Sequence, residues 1–240
     1  MIHTVTITGA DDNVEQKELQ KLFVKYPFVE WGILFSKTRA GTQRYPSTKW
    51  IDNLGSIDEL FDRKKVKFSS HICGSICEDF LQGDRKILKL IQTNVFTRFQ
   101  LNFNIEKYSV NIFDFIHLMI RAEEKSYNGL NVILQYNQPN KAFMDFLIKY
   151  QPGEFLHYLY DSSGGNGKTP DSWPAPLSKP TGYAGGLNLE NLDSEIQKIL
   201  SVTGETPIWI DAESGIRTNN EFDLVKVEKF LEIASKYVEK

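Results

Sequence analysis

Cysteine is nearly absent from this chain. Cys73 and Cys77 are the only two in 240 residues, which excludes a disulfide framework and points to a reducing, cytoplasmic setting. Histidine is also scarce: His3, His71, His117 and His157 show no zinc-ligand spacing, so no metal is expected. No apolar run approaches the ~20 residues of a membrane span. The first residues lack the basic-then-apolar pattern of a secretory leader. The first extended run leads into "TGADDN" and not into a dinucleotide-type G-x-G-x-x-G turn, which speaks against an open dinucleotide-binding sheet, and no organic cofactor is expected. Charge of one sign is missing as well, with 28 Lys+Arg against 31 Asp+Glu. A nucleic-acid binder normally carries a basic stripe. The one basic cluster, "DRKKVK" at 62–67, reads as a helix end.

What is present is an ordinary core-forming composition, 41% hydrophobic and 12% aromatic, arranged in a regular alternation. Short runs of β character occur at "HTVTIT" near the start, 29–35, 67–73, 96–103, 130–137, 155–161, 181–186 and 207–213. Between them lie stretches of helical period at 14–25, 49–63, 75–91, 111–124, 140–150, 188–201 and 221–238. After Asp161 the chain is long and rich in glycine and proline, so any sixth helix must be short or displaced. Parallel strands need crossover connections, and strands alternating with helices favour a parallel sheet. Eight such units favour a closed (β/α)8 TIM barrel over an open doubly wound sheet. No composition shift marks a boundary, so residues 1–240 are expected to form one domain.

Period-two parity assigns residues to faces. Asp161 shares a face with Leu159 and His157, and Asp211 with Trp209 and Glu213. Gln100 shares one with Asn102, Gln135 with Asn137, and Cys73 with His71 and Ser69. If these polar tips point inward, they line the C-terminal mouth, where barrels of this type hold their active sites. The last three strands end in small and acidic residues: "LYDSSGGNGKTPDSW", "GYAGGLNLENL" and "IWIDAESGI". Glycine lets backbone N–H groups approach an anion closely. The combination points to a phosphorylated small molecule as ligand. Trp31, Trp50 and Trp209 are expected in core packing.

These segments resemble phosphoribosylanthranilate isomerases. Asp161, Gly164-Gly165, Gly167 and Trp173 match the family's sixth strand and its loop. Ala184-Gly185-Gly186-Leu187, with Asn191 following, match its "AGGL", and Asp211, Ser214 and Gly215 match its "D-x-x-SG". "WGILFSKTRAGTQRYPS" is similar to its second strand and loop, placing Arg44 at the family's substrate-carboxylate arginine. The resemblance implies a barrel of the ribulose-phosphate-binding type. It further implies a phosphate resting on the backbone of Gly185-Gly186 and Ser214-Gly215, an Amadori rearrangement, and Asp161 as the acid for the sugar ring oxygen. The family's first strand carries "K-I-C-G", whose cysteine is the general base. The matching stretch here is Thr6-Ile7-Thr8-Gly9, and a threonine hydroxyl cannot remove a carbon-bound proton by itself.

A base must then come from another strand. Glu213 is one candidate, against the simpler reading of a salt bridge to Arg44 or Arg217. Cys73 is another, since a neighbouring histidine such as His71 can generate a thiolate, against the reading of a small buried apolar residue. Asp211 is assigned to structure or ligand orientation, and Arg44 to carboxylate recognition, with Lys37 and Arg39 as substitutes. Asp161 has its own plain reading, a turn aspartate capping its loop. The expected function is an aldose–ketose isomerase of a phosphorylated sugar derivative. Two alternatives stand: a phosphate-sugar binding protein without chemistry, and phosphoribosylanthranilate isomerase itself with an unorthodox base. Oligomeric state is left open by the sequence.

Overall fold

The β-type runs pair in chain order and close on themselves in a computed structural model. It describes residues 1–56, 66–82, 95–107, 131–150, 153–162 and 167–239, with positions 84, 86, 87 and 115. The strands are β1 (Ile2–Thr8), β2 (Val29–Phe35), β3 (Lys67–Cys73), β4 (Phe96–Asn102), β5 (Asn131–Tyr136), β6 (Leu156–Asp161), β7 (Thr181–Ala184) and β8 (Ile208–Ala212). Each pairs in parallel with the next, and β1 pairs with β8 to complete the barrel. Apart from position 115 the helix candidate at 111–124 lies outside the described residues, as do the far end of 49–63, most of the far end of 75–91, the basic run through Lys65 and the Gly164-Gly165 pair.

Helices α1 (Gln16–Lys25), α2 (Thr48–Ser56), α3 (Ser75–Leu81), α4 (Lys141–Tyr150), α5 (Leu192–Thr203) and α6 (Leu224–Ala234) alternate with the strands. The logic is clearest in α6. Val227, Phe230, Leu231 and Ala234 are buried at i, i+3, i+4 and i+7, one apolar stripe on one face. Asp223 caps the helix by accepting hydrogen bonds from the Val225 and Lys226 amides at 3.0 and 3.1 Å. Two helix starts are displaced by three residues or more from the sequence expectation, and α6 ends at Ala234, short of 238. Helix α5 starts at Leu192 and not at 188, because the side chains of Asn188 and Asn191 bond to the preceding loop. Helix α6 starts at Leu224 and not at 221, because β10 (Glu221–Phe222) forms a hairpin with β9 (Arg217–Thr218). No helix forms across 167–180.

With helices outside and side chains within, strands such as β2 and β8 are buried along their whole length. The interior is unusually polar for such a barrel. Arg98 of β4 donates to Glu30 of β2 through Nε at 2.9 Å and through Nη2, and Thr6 Oγ1 donates to the same carboxylate at 2.9 Å. The Arg98 guanidinium stacks on Trp209 of β8, 4.5 Å from the ring centroid. Trp209 thus packs inside the barrel, beside Ile133, Leu159 and Ala184.

Gly182 makes room for that ring. A Cβ placed there would lie 2.1 Å from Trp209 Cε2, and Trp209 is itself enclosed. Gly182→Ala is expected to cost about 1–3 kcal/mol through overpacking, read as a lower denaturant midpoint. An unchanged midpoint would mean that the ring can move aside.

Candidate active site

A cavity of about 570 Å³ opens at the C-terminal ends of the strands. Its walls come from strand tips and the loops that follow them. Gln100 and Asn102 of β4, Gln135 and Asn137 at β5, and Asp161 of β6 all face it, so the parity reading of these strands placed their polar tips on the correct side. Among the described residues, two polar atoms of lining side chains, His71 Nε2 and Gln100 Oε1, are buried without a hydrogen-bond partner. Unpaired buried polar groups are costly, and these two are suited to hold hydroxyls of a bound molecule.

Two carboxylates stand at one level on either side of β7. Asp161 and Asp211 each pair in register with Ala184. Two strand spacings separate their Cα atoms by roughly 9.5 Å along the sheet, leaving space for a sugar ring. Asp161 is 5% exposed and receives a long hydrogen bond, 3.4 Å, from Gln135 Nε2. Asp211 is enclosed more tightly. Its Oδ1 accepts from Thr8 Oγ1 at 2.8 Å. Burial, followed by the negative charges of Glu213, Glu30 and Asp161, pushes it up to about 8, against the lowering effect of the Thr8 bond. His71 Nε2 lies 4.0 Å from Asp211 Oδ2. Burial pushes His71 down to about 4, so its imidazole is neutral and the contact is not an ion pair.

Gly32 of β2 makes this floor possible. A Cβ there would meet Thr8 Oγ1 at 2.2 Å and His71 Cε1 at 3.1 Å, so any larger residue would drive both side chains off their positions.

The other predicted residues are distributed unevenly. Glu213 lines the cavity and is bound to Arg44 Nη1 at 2.7 Å. Arg44 also donates to Ser214 Oγ at 3.3 Å and Asn220 Oδ1 at 2.8 Å, and so it lies behind the cavity wall. Arg217 belongs elsewhere, donating to the Gly9 carbonyl and to Asp11 at 2.7 and 3.2 Å. The structure does not bring Cys73 to the site. Its sulfur accepts from Asn102 Nδ2 at 3.2 Å and its thiol faces the His71 carbonyl at 3.6 Å. Burial pushes that thiol up to about 12, the opposite of an activated nucleophile, and the neutral His71 ring supplies no charge to reverse it.

The glycine loops do converge on the cavity. Gly185 and Gly186 line it with φ of 116° and 67°, backbone that L side chains avoid. A Cβ on Gly186 would meet Thr169 N at 2.5 Å, and one on Gly215 would meet the Leu187 carbonyl at 2.0 Å. The three loops therefore interlock, and Asn191 Nδ2 donates to the Gly186 carbonyl at 2.9 Å to hold the turn. Trp173 anchors the sixth-strand loop from outside the cavity, donating to Glu195 Oε2 of α5 at 2.7 Å and packing edge-on against Tyr183. Among the described residues no three His, Cys, Asp or Glu side chains are grouped to hold a metal ion. No described helix is long and apolar enough to cross a membrane.

Fold and site together define an eight-stranded parallel barrel with a carboxylate-lined, glycine-rimmed cavity at its C-terminal mouth. No family model matches the chain. Curated relatives do: N-(5'-phosphoribosyl)anthranilate isomerase of Bacillus mycoides is 35% identical over 126 residues, 49% of this chain and 55% of that protein. The Oceanobacillus iheyensis enzyme of the same name is 32% identical over 117 residues, 47% and 48% of the two chains. The chain thus spans about half the length of the curated relatives it matches. Phosphoribosylanthranilate isomerase of Thermotoga maritima superposes with a TM-score of 0.60 at 20% identity, covering 98% of this chain and 100% of that one. That of Pyrococcus furiosus gives 0.58 at 14%, covering 97% and 98%. In sequence about half of the chain is similar to phosphoribosylanthranilate isomerases, and the whole has the fold of their solved structures.

Proposed function

We propose that the chain is an isomerase of a phosphorylated aldose derivative, converting an N-glycosylamine to a ketose by an Amadori-type rearrangement. One observation supports this above others: Asp161, Gly185-Gly186 and Ser214-Gly215 line a single cavity, so a proton donor and an anion cradle face one ligand. In this reading the ligand's phosphate rests on the backbone of the two glycine loops. Asp161 protonates the ring oxygen. Arg44 donates to a ligand carboxylate only if that group displaces Glu213, because the two side chains are already paired.

The test uses N-(5'-phosphoribosyl)anthranilate carrying deuterium at ribose C2. Turnover with loss of the label to water is expected, and complementation of a tryptophan auxotroph lacking this step should accompany it. Tight binding with the compound recovered unchanged and the label intact would sink the isomerase reading. That result would favour a binding protein, the alternative that Thr8 at the family's base position supports.

A further inference from the structure

Five titratable side chains line the cavity among the described residues: His71, Lys107, Asp161, Asp211 and Glu213. An isomerisation by proton transfer needs an acid and a base from this set. Glu213 is held by Arg44 at 2.7 Å. His71 is a neutral imidazole, and as a group pushed down to about 4 it is a weak proton acceptor. Lysine supplies donors and no acceptor. What remains is the pair at the level of Ala184, Asp161 and Asp211.

Asp211 is built into its position. Thr8 on the neighbouring strand anchors Oδ1 at 2.8 Å, and Gly32 provides the space in which Thr8 and His71 sit. Among the described residues no hydrogen bond reaches Oδ2, and His71 Nε2 stands 4.0 Å from it. One oxygen is thus oriented by a threonine, and the other is available to a ligand.

We propose that Asp211 is the catalytic base that removes the carbon-bound proton, with Thr8 as the positioning residue that orients its carboxylate. The proposal rests on the isomerase reading above. Asp161 gives its proton to the ring oxygen, the C1–O bond breaks, and the nitrogen lone pair forms a C1=N iminium. Asp211 then takes the C2 proton. The C2–H electrons form C1=C2, and the iminium electrons return to nitrogen. The resulting enol becomes the ketone as its hydroxyl loses a proton and C1 gains one. Asp211 returns its proton to solvent and Asp161 recovers one, so atoms and charge balance over the cycle.

The groups facing Asp211 come from five places: Thr8 on β1, Glu30 on β2, His71 on β3, Asp161 on β6 and Glu213 just past β8. Burial and three negative neighbours hold the Asp211 proton up to about 8, near the range in which a general base is most effective. Proton removal needs the carboxylate form. Because ring opening also needs a proton on Asp161, turnover should follow a bell-shaped pH profile with the Asp211 limb near 8. The same shift has a consequence for folding. A carboxyl raised in the folded state contributes stability that is present below its ordinary 3.8 and is lost as pH rises through about 8.

Wild type, Asp211→Asn and Thr8→Val are compared with the C2-deuterated substrate. Asp211→Asn should lower kcat about 10²–10⁴-fold with KM changed only a few-fold, and should melt at a higher temperature than wild type at pH 9. That melting result separates lost chemistry from a failed fold. Thr8→Val removes the bond that lowers the Asp211 proton affinity, so its pH–rate limb should move to higher pH. Asp211→Asn turning over within about five-fold of wild type, or a raised KM at unchanged kcat, would overturn the base assignment while leaving the isomerase reading intact. A wild type that neither turns over nor exchanges label would overturn both.

Discussion

Asp161→Asn is expected to abolish ring opening, lowering turnover by about 10²–10⁴-fold, the usual contribution of a positioned acid. The substitution preserves shape at a site only 5% exposed, and an asparagine can still meet Gln135 Nε2, now 3.4 Å from Asp161 Oδ2. The fold should survive while the ring oxygen loses its proton source. Because the C2 proton becomes acidic only after the iminium forms, label exchange should fall together with product formation. A variant that still exchanges C2 deuterium would assign ring opening to another group. Normal turnover would remove Asp161 from the chemistry and leave it as a loop cap.

Arg98→Met should produce the largest loss of stability, about 3–5 kcal/mol, because removing one partner strands a buried charge. Methionine keeps the bulk of the side chain against Trp209 and deletes the guanidinium, so the change isolates the charge. Glu30 has two opposing influences in the native protein. Burial raises its proton affinity, yet the charge and hydrogen bonds of Arg98, helped by Thr6, hold it below its ordinary 4.5. A carboxylate so lowered contributes stability that is present above the ordinary value and is lost as pH falls through the lowered one. Without Arg98 burial prevails, the Glu30 proton affinity rises, and the sign reverses, so stability declines as pH increases from about 4.5. Denaturant titrations from pH 4 to 8 should show this change of slope between wild type and variant. Parallel slopes and a small loss would mean that water reaches Glu30.

The barrel was legible because both faces of its strands are largely buried, and several runs lie beside a glycine or proline, as with Pro27 before β2, Gly74 after β3 and Pro180 before β7. Strand β2 occupies 29–35 as read from "VEWGILF", and β3 occupies 67–73. The helix starts at 188 and 221 were misplaced for a local reason. Asparagine side chains at 188 and 191 bond the loop backbone, and a two-residue hairpin takes up Glu221 and Phe222. Periodicity does not register either device. Asp161 and the glycine loops could be read because they follow strand ends directly. The Thr8–Asp211 bond could not, since it joins residues 203 positions apart and depends on β1 closing the barrel against β8. One signal was readable and overlooked: Glu30 in "VEWGILF" and Arg98 in "FTRFQLNF" are opposite charges inside otherwise buried strands, which require each other as partners. Cys73 misled for the converse reason. Sharing a parity face with His71 says nothing about depth, and its sulfur accepts from Asn102 while its thiol points to the His71 carbonyl.

Arg98 stacks on Trp209 inside the barrel, and among the described residues the cavity that holds Asp161 and Asp211 opens at the C-terminal mouth. In the proposed reaction substrate and product share that passage. On the isomerase reading proposed above, the ketose would depart before the next aldose arrives, and accumulating product is expected to compete with substrate for the glycine loops.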